Sequence, residues 1–325
     1  MRAPRHRVAV CVTGMPSRLR PESLLHNLVD ANARNYAFHL FYVLQQTTEL
    51  YFSTQTPAEQ SFQGTPMGRL PQNELRAHLI KADGRADVNV TVLPLTPTQN
   101  ATQWAAWLGL PDASLNRVSQ YASLQDRVLA EFSHHPRCAA AIESQERLDG
   151  QRFTYVIRSR EDLFFFQPLR LDAVWDRYPN CDVVYKGCLS HGGIGQRLQL
   201  LRRDRGLALL TTRFPYYLFL NATGRTHFNP EQFEAGQASW LNLTACAATV
   251  AEMPAAAVRV AGSKVCFNVL DAFKITPKRL RGCHKASCSA VYCRAPEDPA
   301  QWCFPNDNLS FVNSHLCVKC PKVVY

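Results

Sequence analysis

Two nearly all-apolar runs, separated by a stretch of helical periodicity, lie in the first 44 residues. Residues 7–13 read RVAVCVT and are followed by Gly14, while residues 36–44 read YAFHLFYVL. Between them, apolar residues recur at helical spacing from 24 to 33, after Ser23, a residue type that caps helices. Continuous apolar runs are typical of parallel strands buried on both faces. We therefore predict a strand–helix–strand unit that begins a parallel sheet, because an antiparallel hairpin would need a turn where the helical pattern lies.

A second stretch places charges between two apolar runs. Residues 153–168 read FTYVIRSREDLFFFQP, so Arg158, Arg160, Glu161 and Asp162 separate a β-favouring run from a phenylalanine-rich run. Because the flanks favour burial, the charges must emerge at the end of a strand or line a cleft. In an open α/β sheet, ligands bind at the carboxyl ends of the strands. We therefore predict that this strand carries the functional site.

The remaining apolar patterns predict the other elements of an α/β domain. Strands are predicted at residues 88–93, 181–187, 258–260 and 264–267. Helices are predicted at residues 73–81, 114–132, 137–148, 171–178 and 198–213, and from Asn229-Pro230-Glu231, with Pro136 separating two of them. We expect a mostly parallel central sheet flanked by helices over residues 1–275, and a small, basic, Cys-rich appendage over residues 276–325.

The cysteines bear on the redox compartment. Six of the 12 fall in the last 43 residues: Cys283, Cys288, Cys293, Cys303, Cys317 and Cys320. A dense, even set in a poorly periodic segment favours a disulfide framework in an oxidising compartment. The alternative is a zinc site, because Cys317 and Cys320 have the spacing of metal ligands and His284 and His315 lie nearby.

Five Asn-x-Ser/Thr sequons favour the oxidising compartment, at Asn89, Asn100, Asn221, Asn242 and Asn308. We expect a glycoprotein of the secretory-pathway lumen, in the Golgi or the endoplasmic reticulum, with its targeting segment absent from this chain. The first apolar run is too short for a signal peptide, and no apolar run of about 18 residues predicts a membrane span.

The charge balance limits the classes of partner. A net charge of +10 and a pI near 9.1 suit an anionic ligand such as a nucleotide, and equally a merely soluble surface. We expect no nucleic-acid partner, because the sequence carries no recognised nucleic-acid recognition motif. The turn after the first strand lacks a G-x-G-x-x-G fingerprint, which disfavours a dinucleotide-dependent dehydrogenase.

The order of these motifs resembles that of glycosyltransferase-like proteins with a nucleotide-diphospho-sugar transferase (GT-A) fold. RVAVCVTGMPSRLR is similar to the opening strand with its Gly and Arg loop, and YAFHLFYVL to the second strand. Residues 124–146, with Gln125, Cys138 and Ile142, resemble the helix pair before the central strand. FTYVIRSREDLFFFQPL is similar to a strand that ends in an R-x-R-x-D pattern, and HGGIGQR and FNPEQF resemble two later loops. The resemblance covers residues 7–267 and excludes the Cys-rich tail.

This resemblance implies a metal-dependent transfer of sugar from a nucleotide-sugar to a glycan or protein acceptor. Asp162, with Glu161, would hold Mn²⁺ or Mg²⁺. The family usually carries Pro at the position of Glu161, so this chain departs from the family pattern there. Arg158 and Arg160 would stabilise the diphosphate, since strand alternation puts them on one face with Asp162. The alternative is an internally paired charge cluster that fixes the end of the strand.

Two glycine-containing loops would complete the donor site. Gly14, Arg18 and Arg20 would seat the nucleotide, because close backbone approach needs glycine and phosphates need cations; an ordinary strand-to-helix turn is the alternative. A second loop would form a flexible wall near donor or acceptor through Gly192, Gly193 and Arg197. The family carries an acidic or amide residue plus Arg there, and Gln196 precedes Arg197 in this chain. His191 lies in the same loop and could also contribute to this wall, but a lone histidine in such a loop is usually only a solvated side chain.

Glu231 is the best candidate for a base. At a helix N-terminus its ionised form is favoured by the helix dipole, and a carboxylate there could deprotonate an acceptor hydroxyl; an ordinary first-turn Glu is the alternative. Arg160 and Glu231 are therefore the predicted catalytic residues. A different class of function also fits, namely a non-catalytic carbohydrate- or protein-binding module on the same fold, because no unambiguous D-x-D motif is present.

Overall fold

The computed structural model describes residues 6–14, 24–45, 89–95, 122–165, 167–187, 190, 192–225, 229–249, 251–261, 264–268, 310–312 and 315–319. The strands are β1 (His6–Gly14), β2 (Tyr36–Gln45), β3 (Asn89–Leu95), β4 (Tyr155–Arg160), β5 (Leu163–Phe165), β6 (Val183–Lys186), β7 (Leu198–Arg202), β8 (Ala245–Ala248), β9 (Ala255–Ala261), β10 (Lys264–Asn268), β11 (Ser310–Val312) and β12 (His315–Lys319). The helices are the π-helical α1 (Leu25–Asp30), α2 (Ala122–Asp149), α3 (Leu171–Arg177), α4 (Arg203–Gly206), α5 (Ala208–Thr211), α6 (Arg213–Thr223) and α7 (Pro230–Trp240). No helix within these ranges is long and apolar enough to cross a membrane.

Seven strands form the first sheet, in the order β3-β2-β1-β4-β7-β6-β8. Strand β1 pairs in parallel with β2 on one side and β4 on the other, so that Val8 lies opposite both Phe38 and Tyr155. Strands β2 and β3 are parallel, as are β6 and β8, whereas β7 is antiparallel to both of its neighbours. All strands except β7 therefore run in one direction, which confirms the prediction of a mostly parallel sheet in an α/β fold.

Both faces of the first sheet are covered by helices. On one face, Val8, Val10 and Val12 of β1 belong to a core that also includes residues of α1 and α3. On the other face, Ala9 and Cys11 belong to a core shared with α2, α5 and α7. Burial on both faces explains why β1 and β2 read as continuous apolar runs rather than as alternating patterns.

Two disulfides cross-link the described part of this domain. Cys11 in β1 is bonded to Cys138 in α2, and Cys181, just before β6, is bonded to Cys246 in β8. Each bond ties the sheet either to a covering helix or to its own edge strand. The predicted disulfide framework or zinc site of the tail lies almost wholly outside the described residues, which include only the strands β11 and β12 there.

A second, antiparallel sheet has the order β11-β12-β10-β9-β5. Strand β5 follows β4 after only Glu161 and Asp162, and pairs with β9 through Leu163 opposite Ala257. The two acidic residues therefore form the turn in which the chain passes from the first sheet to the second. The sequence predicts strands near β9 and β10, but not that they form a separate sheet.

Three predicted elements need correction. The helix predicted at 198–213 begins as strand β7, because a leucine-rich run buried on both faces has no period that separates strand from helix. The predicted break at Pro136 does not occur, and α2 is one helix; packing of Cys138 and Ile142 in the core outweighs the loss of one helical hydrogen bond. Helix α1 is shorter than predicted, and its N-cap residue is Leu24, which makes no side-chain cap hydrogen bond.

Strand β8 is an element that the sequence does not predict. Its four residues, Ala245–Ala248, carry small side chains with little β propensity. Parallel pairing with β6 and the bond between Cys181 and Cys246 hold it at the edge of the sheet. The helix predicted at 73–81 and the first part of that at 114–132 lie outside the described residues.

Candidate functional site

The candidate site lies where the strand order of the first sheet reverses. From β1 the chain adds β2 and β3 on one side, and then places β4 on the other side of β1. In open α/β sheets, ligands bind at such a switch point, outside the carboxyl ends of the strands. In this chain those ends are Gly14 of β1 and Arg160 of β4.

Gly14 permits a close approach between the ends of β1 and β4. The amide N–H of Glu161 donates to the carbonyl of Thr13 at 3.0 Å. Gly14 has φ of +139°, and a Cβ atom built on it would lie 1.9 Å from a carboxylate oxygen of Glu161. A larger side chain at position 14 would be strained by this value of φ and would require the Glu161 carboxylate to move.

Arg160 and Asp162 form a two-pronged ion pair at the end of β4. Arg160 donates from Nε to Oδ1 of Asp162 at 2.9 Å and from Nη2 to Oδ2 at 2.7 Å. The Asp162 side chain is fully buried, whereas the Arg160 side chain is 33% exposed. This bidentate geometry holds the guanidinium in one orientation while leaving part of it accessible to a ligand.

Arg197 is the neighbour of Arg160 across the sheet. The antiparallel register of β4 and β7 pairs Ser159 with Leu198, and the Arg160 amide donates to the Arg197 carbonyl at 3.0 Å. Residues opposite each other on antiparallel strands project to the same face. Both residues are half-buried, and Nη1 of Arg197 is fully buried, so the two arginine side chains leave the sheet on the same face at the end of β4.

The loop that leads to Arg197 packs against the N-terminus of α7. The Ile194 amide donates to the Glu231 carbonyl at 2.9 Å, and Gln196 Nε2 donates to the Pro230 carbonyl at 2.9 Å. A Cβ atom on Gly193 would lie 2.1 Å from the Glu231 carbonyl oxygen, so this glycine is required for the contact. The glycine-rich loop and the first turn of α7 are thus joined beside the end of β4.

The N-terminus of α7 has its own local determinants. Asn229 caps the helix, since its side-chain oxygen accepts from the Gln232 amide at 2.7 Å, and Pro230 occupies the first helical position. Glu231 lies in this first turn and is half-buried. The predicted residues Gly14, Arg160, Glu161 and Asp162 are therefore linked, through Arg197 and Gly193, to Glu231.

Arg158 lies below this surface, in a buried charge network. It is 2% exposed and donates from Nη1 to both carboxylate oxygens of Glu234, at 2.8 and 2.9 Å. Arg213 donates from Nη2 to the same carboxylate at 2.9 Å, and Gln199 also donates to it. Gln199 Nε2 donates further to the Gly195 carbonyl at 3.0 Å, which ties the network to the glycine-rich loop.

Electrostatics keep the central carboxylate of this network ionised. Burial alone would raise the pKa of Glu234, but the charges of Arg158 and Arg213 and the hydrogen bond from Gln199 hold it below its ordinary value. The neighbouring His135 has a pKa well below its ordinary value, because it is buried and lies near both arginines. The network therefore contains two cations, one anion and a neutral imidazole.

Sequence reasoning missed Glu234, Arg213 and Gln199. Glu234 follows Phe233 and precedes Gln237 and Ala238, all of them on the buried side of α7. An ionisable residue within a core-facing stripe needs a buried partner, and that signal was available in the sequence. The sequence pattern does not identify Arg213 as the partner of Glu234, because Arg213 lies on another helix.

The described residues do not fit the metal ion expected at Asp162 and Glu161. Both carboxylate oxygens of Asp162 accept from Arg160, and the Asp162 side chain has no exposed surface. Within the described ranges, no group of three or more His, Cys, Asp or Glu side chains could hold a metal ion. We therefore derive no chemical step through a metal.

Three residues named from the sequence are not placed. Arg18, Arg20 and His191 lie outside the described residues. Gly192 is described; it has φ of +80°, a value that favours glycine, and borders Gln232 of α7.

Comparisons with known proteins find similarity among solved structures. No protein-family model and no curated protein matches the chain. Among solved structures, the apo form of mouse xyloside xylosyltransferase 1 matches over 76% of this chain and 85% of that chain, with a TM-score of 0.37 and 10% sequence identity.

Proposed function

We propose that this chain is a glycosyltransferase of the GT-A type, which binds a nucleotide-sugar donor at the carboxyl ends of β1 and β4. The observation that carries the proposal is that Arg160 and Arg197 are half-buried backbone partners at the end of β4, so that their side chains project to one face beside the switch point of the sheet. A diphosphate leaving group needs cations in a fixed geometry, and arginine supplies bidentate donors. Gly14, at the end of β1, leaves room for the Glu161 carboxylate beside this pair.

In this proposal, each element at the site has a defined role. Arg160, held by Asp162, and Arg197 neutralise the charge that develops on the diphosphate as its bond to the anomeric carbon breaks. The acceptor hydroxyl forms the new bond to that carbon and, in an inverting reaction, passes its proton to Glu231. Arg158 acts from beneath by holding Glu234, and thereby α7, against β4.

A second candidate is donor or glycan binding without chemistry. The observation that favours it is the burial of Asp162 in its ion pair with Arg160. A transferase with a metal centre would use such a carboxylate as a metal ligand. Binding of a nucleotide-sugar with no turnover on any acceptor would support this candidate.

The test is a panel of UDP- and GDP-sugars with and without Mn²⁺, measured by calorimetry and by sugar release. We expect at least one donor to bind, and Arg197→Gln to weaken it about 10- to 100-fold, the effect of one charge-assisted hydrogen bond. Arg160→Lys is preferable to Arg160→Ala, because it keeps a cation beside Asp162 while losing the bidentate geometry. Arg177→Gln, at a 74% exposed site on α3, is the matched control.

Failure of every donor to bind, in protein that unfolds cooperatively, would contradict the proposal. The comparison with and without Mn²⁺ also tests the metal predicted from the sequence. Equal donor affinity with and without Mn²⁺ would show that Asp162 and Glu161 do not bind a metal ion. The proposed role of the arginines would be unaffected.

We also propose that the chain resides in the secretory-pathway lumen, Golgi or endoplasmic reticulum. Its support is the pair of disulfides in the described core, since such bonds persist in oxidising compartments. Alkylation before and after reduction, followed by peptide mass spectrometry of protein from its native source, tests this. Free thiols at Cys11 and Cys138 in that material would contradict it.

A further inference from the structure

Among the three sequons whose Asn and Ser/Thr both lie in described elements or turns, one differs in its surroundings. Asn89 and Thr91 lie in β3, and the Thr91 hydroxyl is hydrogen-bonded to His39 Nε2 at 2.9 Å. Asn221 and Thr223 end α6, and the Thr223 hydroxyl donates to the Phe219 carbonyl at 2.9 Å. In both, the backbone is committed to regular structure and the hydroxyl to a neighbour.

Asn242 and Thr244 lie instead in an exposed turn after α7. Asn242 and Thr244 are exposed, and Trp240 is 43% exposed, whereas Leu241 and Leu243 pack against the core. Among the described residues, no hydrogen bond engages the Asn242 side-chain amide or the Thr244 hydroxyl. Both groups that a sequon must present are therefore accessible together.

The turn is formed by its backbone and does not need the Asn242 side chain. Asn242 has φ of +53°, and its amide donates to the Ser239 carbonyl at 3.0 Å while the Leu243 amide donates to the Ala238 carbonyl at 2.9 Å. These are the two hydrogen bonds of a Schellman C-cap. The Thr244 amide donates to Asp182 Oδ2 at 2.9 Å, which fixes the far side of the turn.

We infer that Asn242 is an N-glycosylation site of this protein. In the reaction, Nδ2 of Asn242 forms a bond to the anomeric carbon of the first sugar of a lipid-diphosphate-linked oligosaccharide. The carbon–oxygen bond to the diphosphate breaks, the lipid diphosphate leaves with the electron pair, and Nδ2 loses one proton to solvent. The exposed turn presents both the acceptor amide and the Thr244 hydroxyl to the modifying enzyme.

Asn242 and the candidate site lie at opposite ends of α7. Helix α7 is 11 residues long, and at a rise of 1.5 Å per residue its two ends are about 15 Å apart. Glu231 lies in the first turn, whereas Asn242 follows the last turn. The attachment point for a glycan therefore lies at the opposite end of α7 from Glu231.

The test is expression of the full chain behind a secretion leader in a eukaryotic host, with peptide mass spectrometry before and after peptide-N-glycosidase. We expect the Asn242 peptide to be recovered as the aspartate form after enzyme treatment, with an occupancy above those of Asn89 and Asn221. Asn242→Gly and Thr244→Ala should each remove one glycan from the intact mass. Thr244→Ser should retain it.

Asn242→Gly separates modification from a structural role of Asn242, because glycine is equally suited to the left-handed turn. We expect this variant to keep the melting temperature of enzymatically deglycosylated protein. An unmodified Asn242 peptide from secreted protein with both disulfides formed would overturn the inference and leave the lumenal assignment standing. Free cysteines throughout would instead contradict the lumenal assignment.

Discussion

At the scale of single residues, the close contact between Gly14 and Glu161 determines how β1 and β4 can end side by side. The contact combines a left-handed backbone with less than van der Waals space for a side chain. Each of these conditions penalises a substitution by itself, and they can be separated experimentally, because other glycines in the chain meet only the first.

We expect Gly14→Ala to lower stability by about 1 to 3 kcal/mol and to weaken donor binding, since it adds backbone strain and displaces Glu161. Urea unfolding and donor calorimetry measure the two effects. Gly150→Ala is the matched control: Gly150 has φ of +64°, but nothing lies within 4 Å of an added Cβ. Equal destabilisation by both substitutions would show that the contact with Glu161 contributes nothing.

Two acids on α7, three residues apart, have contrasting surroundings. Glu234 is fully buried and accepts hydrogen bonds from Arg158, Arg213 and Gln199, whereas Glu231 is half-buried in the first turn. Loss of the Glu234 charge would leave two buried arginines without their anion, which is a costly state. Glu231 is only half-buried, so its charge and its surroundings are partly solvated.

We therefore expect Glu234→Gln to destabilise the fold by about 3 to 5 kcal/mol. Glu231→Gln should change stability by less than about 0.5 kcal/mol and abolish sugar transfer while retaining donor affinity. Chemical denaturation combined with transfer assays measures both. The assignment of roles would be wrong if Glu231→Gln kept full turnover, or if Glu234→Gln unfolded at the same denaturant concentration as the parent protein.

At the scale of elements, the two disulfides close loops of different length around the same sheet. Cys11 and Cys138 are 127 residues apart, and Cys181 and Cys246 are 65 residues apart. The first joins the central strand β1 to α2, and the second joins the start of β6 to the edge strand β8. Both constrain the unfolded chain more than a short loop would.

We expect removal of either pair by Cys→Ala double substitution to cost about 4 to 5 kcal/mol on the chain-entropy estimate, slightly more for Cys11 and Cys138. Urea unfolding without reductant gives the comparison. In the presence of reductant, the parent and both variants should converge. A parent protein whose unfolding midpoint is unaffected by reductant would contradict a stabilising role.

Patterns along the chain predicted most elements of the first sheet and failed where burial was two-sided or propensity was low. The runs of β1 and β2 are long, flanked by turn signals and separated by a helical pattern, so their assignment was unambiguous. The assignment of the leucine-rich run of β7 was ambiguous, because burial on both faces removes the alternation that separates a strand from a helix. Strand β8 has only small residues, and its pairing with β6 decides its conformation.

At the scale of the whole molecule, buried neutral histidines couple the fold to pH. Burial lowers the pKa of His39 and of His134 to about 4, and burial also holds the pKa of His135 well below its ordinary value. In the unfolded chain these residues titrate near pH 6.5. Below that pH, the unfolded state binds protons that the folded state cannot accept.

Stability should therefore be full above about pH 6.5 and should fall as the pH is lowered toward 4, by about 1.4 kcal/mol per pH unit for each histidine. Carboxylates with a lowered pKa, such as Glu146 and Glu234, extend the loss to more acidic conditions. Melting temperatures at pH 7.5, 6 and 5 measure the slope. A constant melting temperature over this range would contradict the burial of neutral histidines.

The sequence by itself determined the directions of the central strands, the layering of helices on both faces, and the position of Arg160 and Asp162 at the end of a buried strand. These features follow from local periodicity and from the cost of burying charge, both of which can be read along the chain. The tertiary structure alone decided the partners. Arg158 lies on the predicted face but contacts Glu234 beneath the surface, and Arg160 is paired with Asp162. Such pairings depend on which helices pack over the sheet and on how deeply each side chain is buried. Short-range sequence patterns do not contain this information.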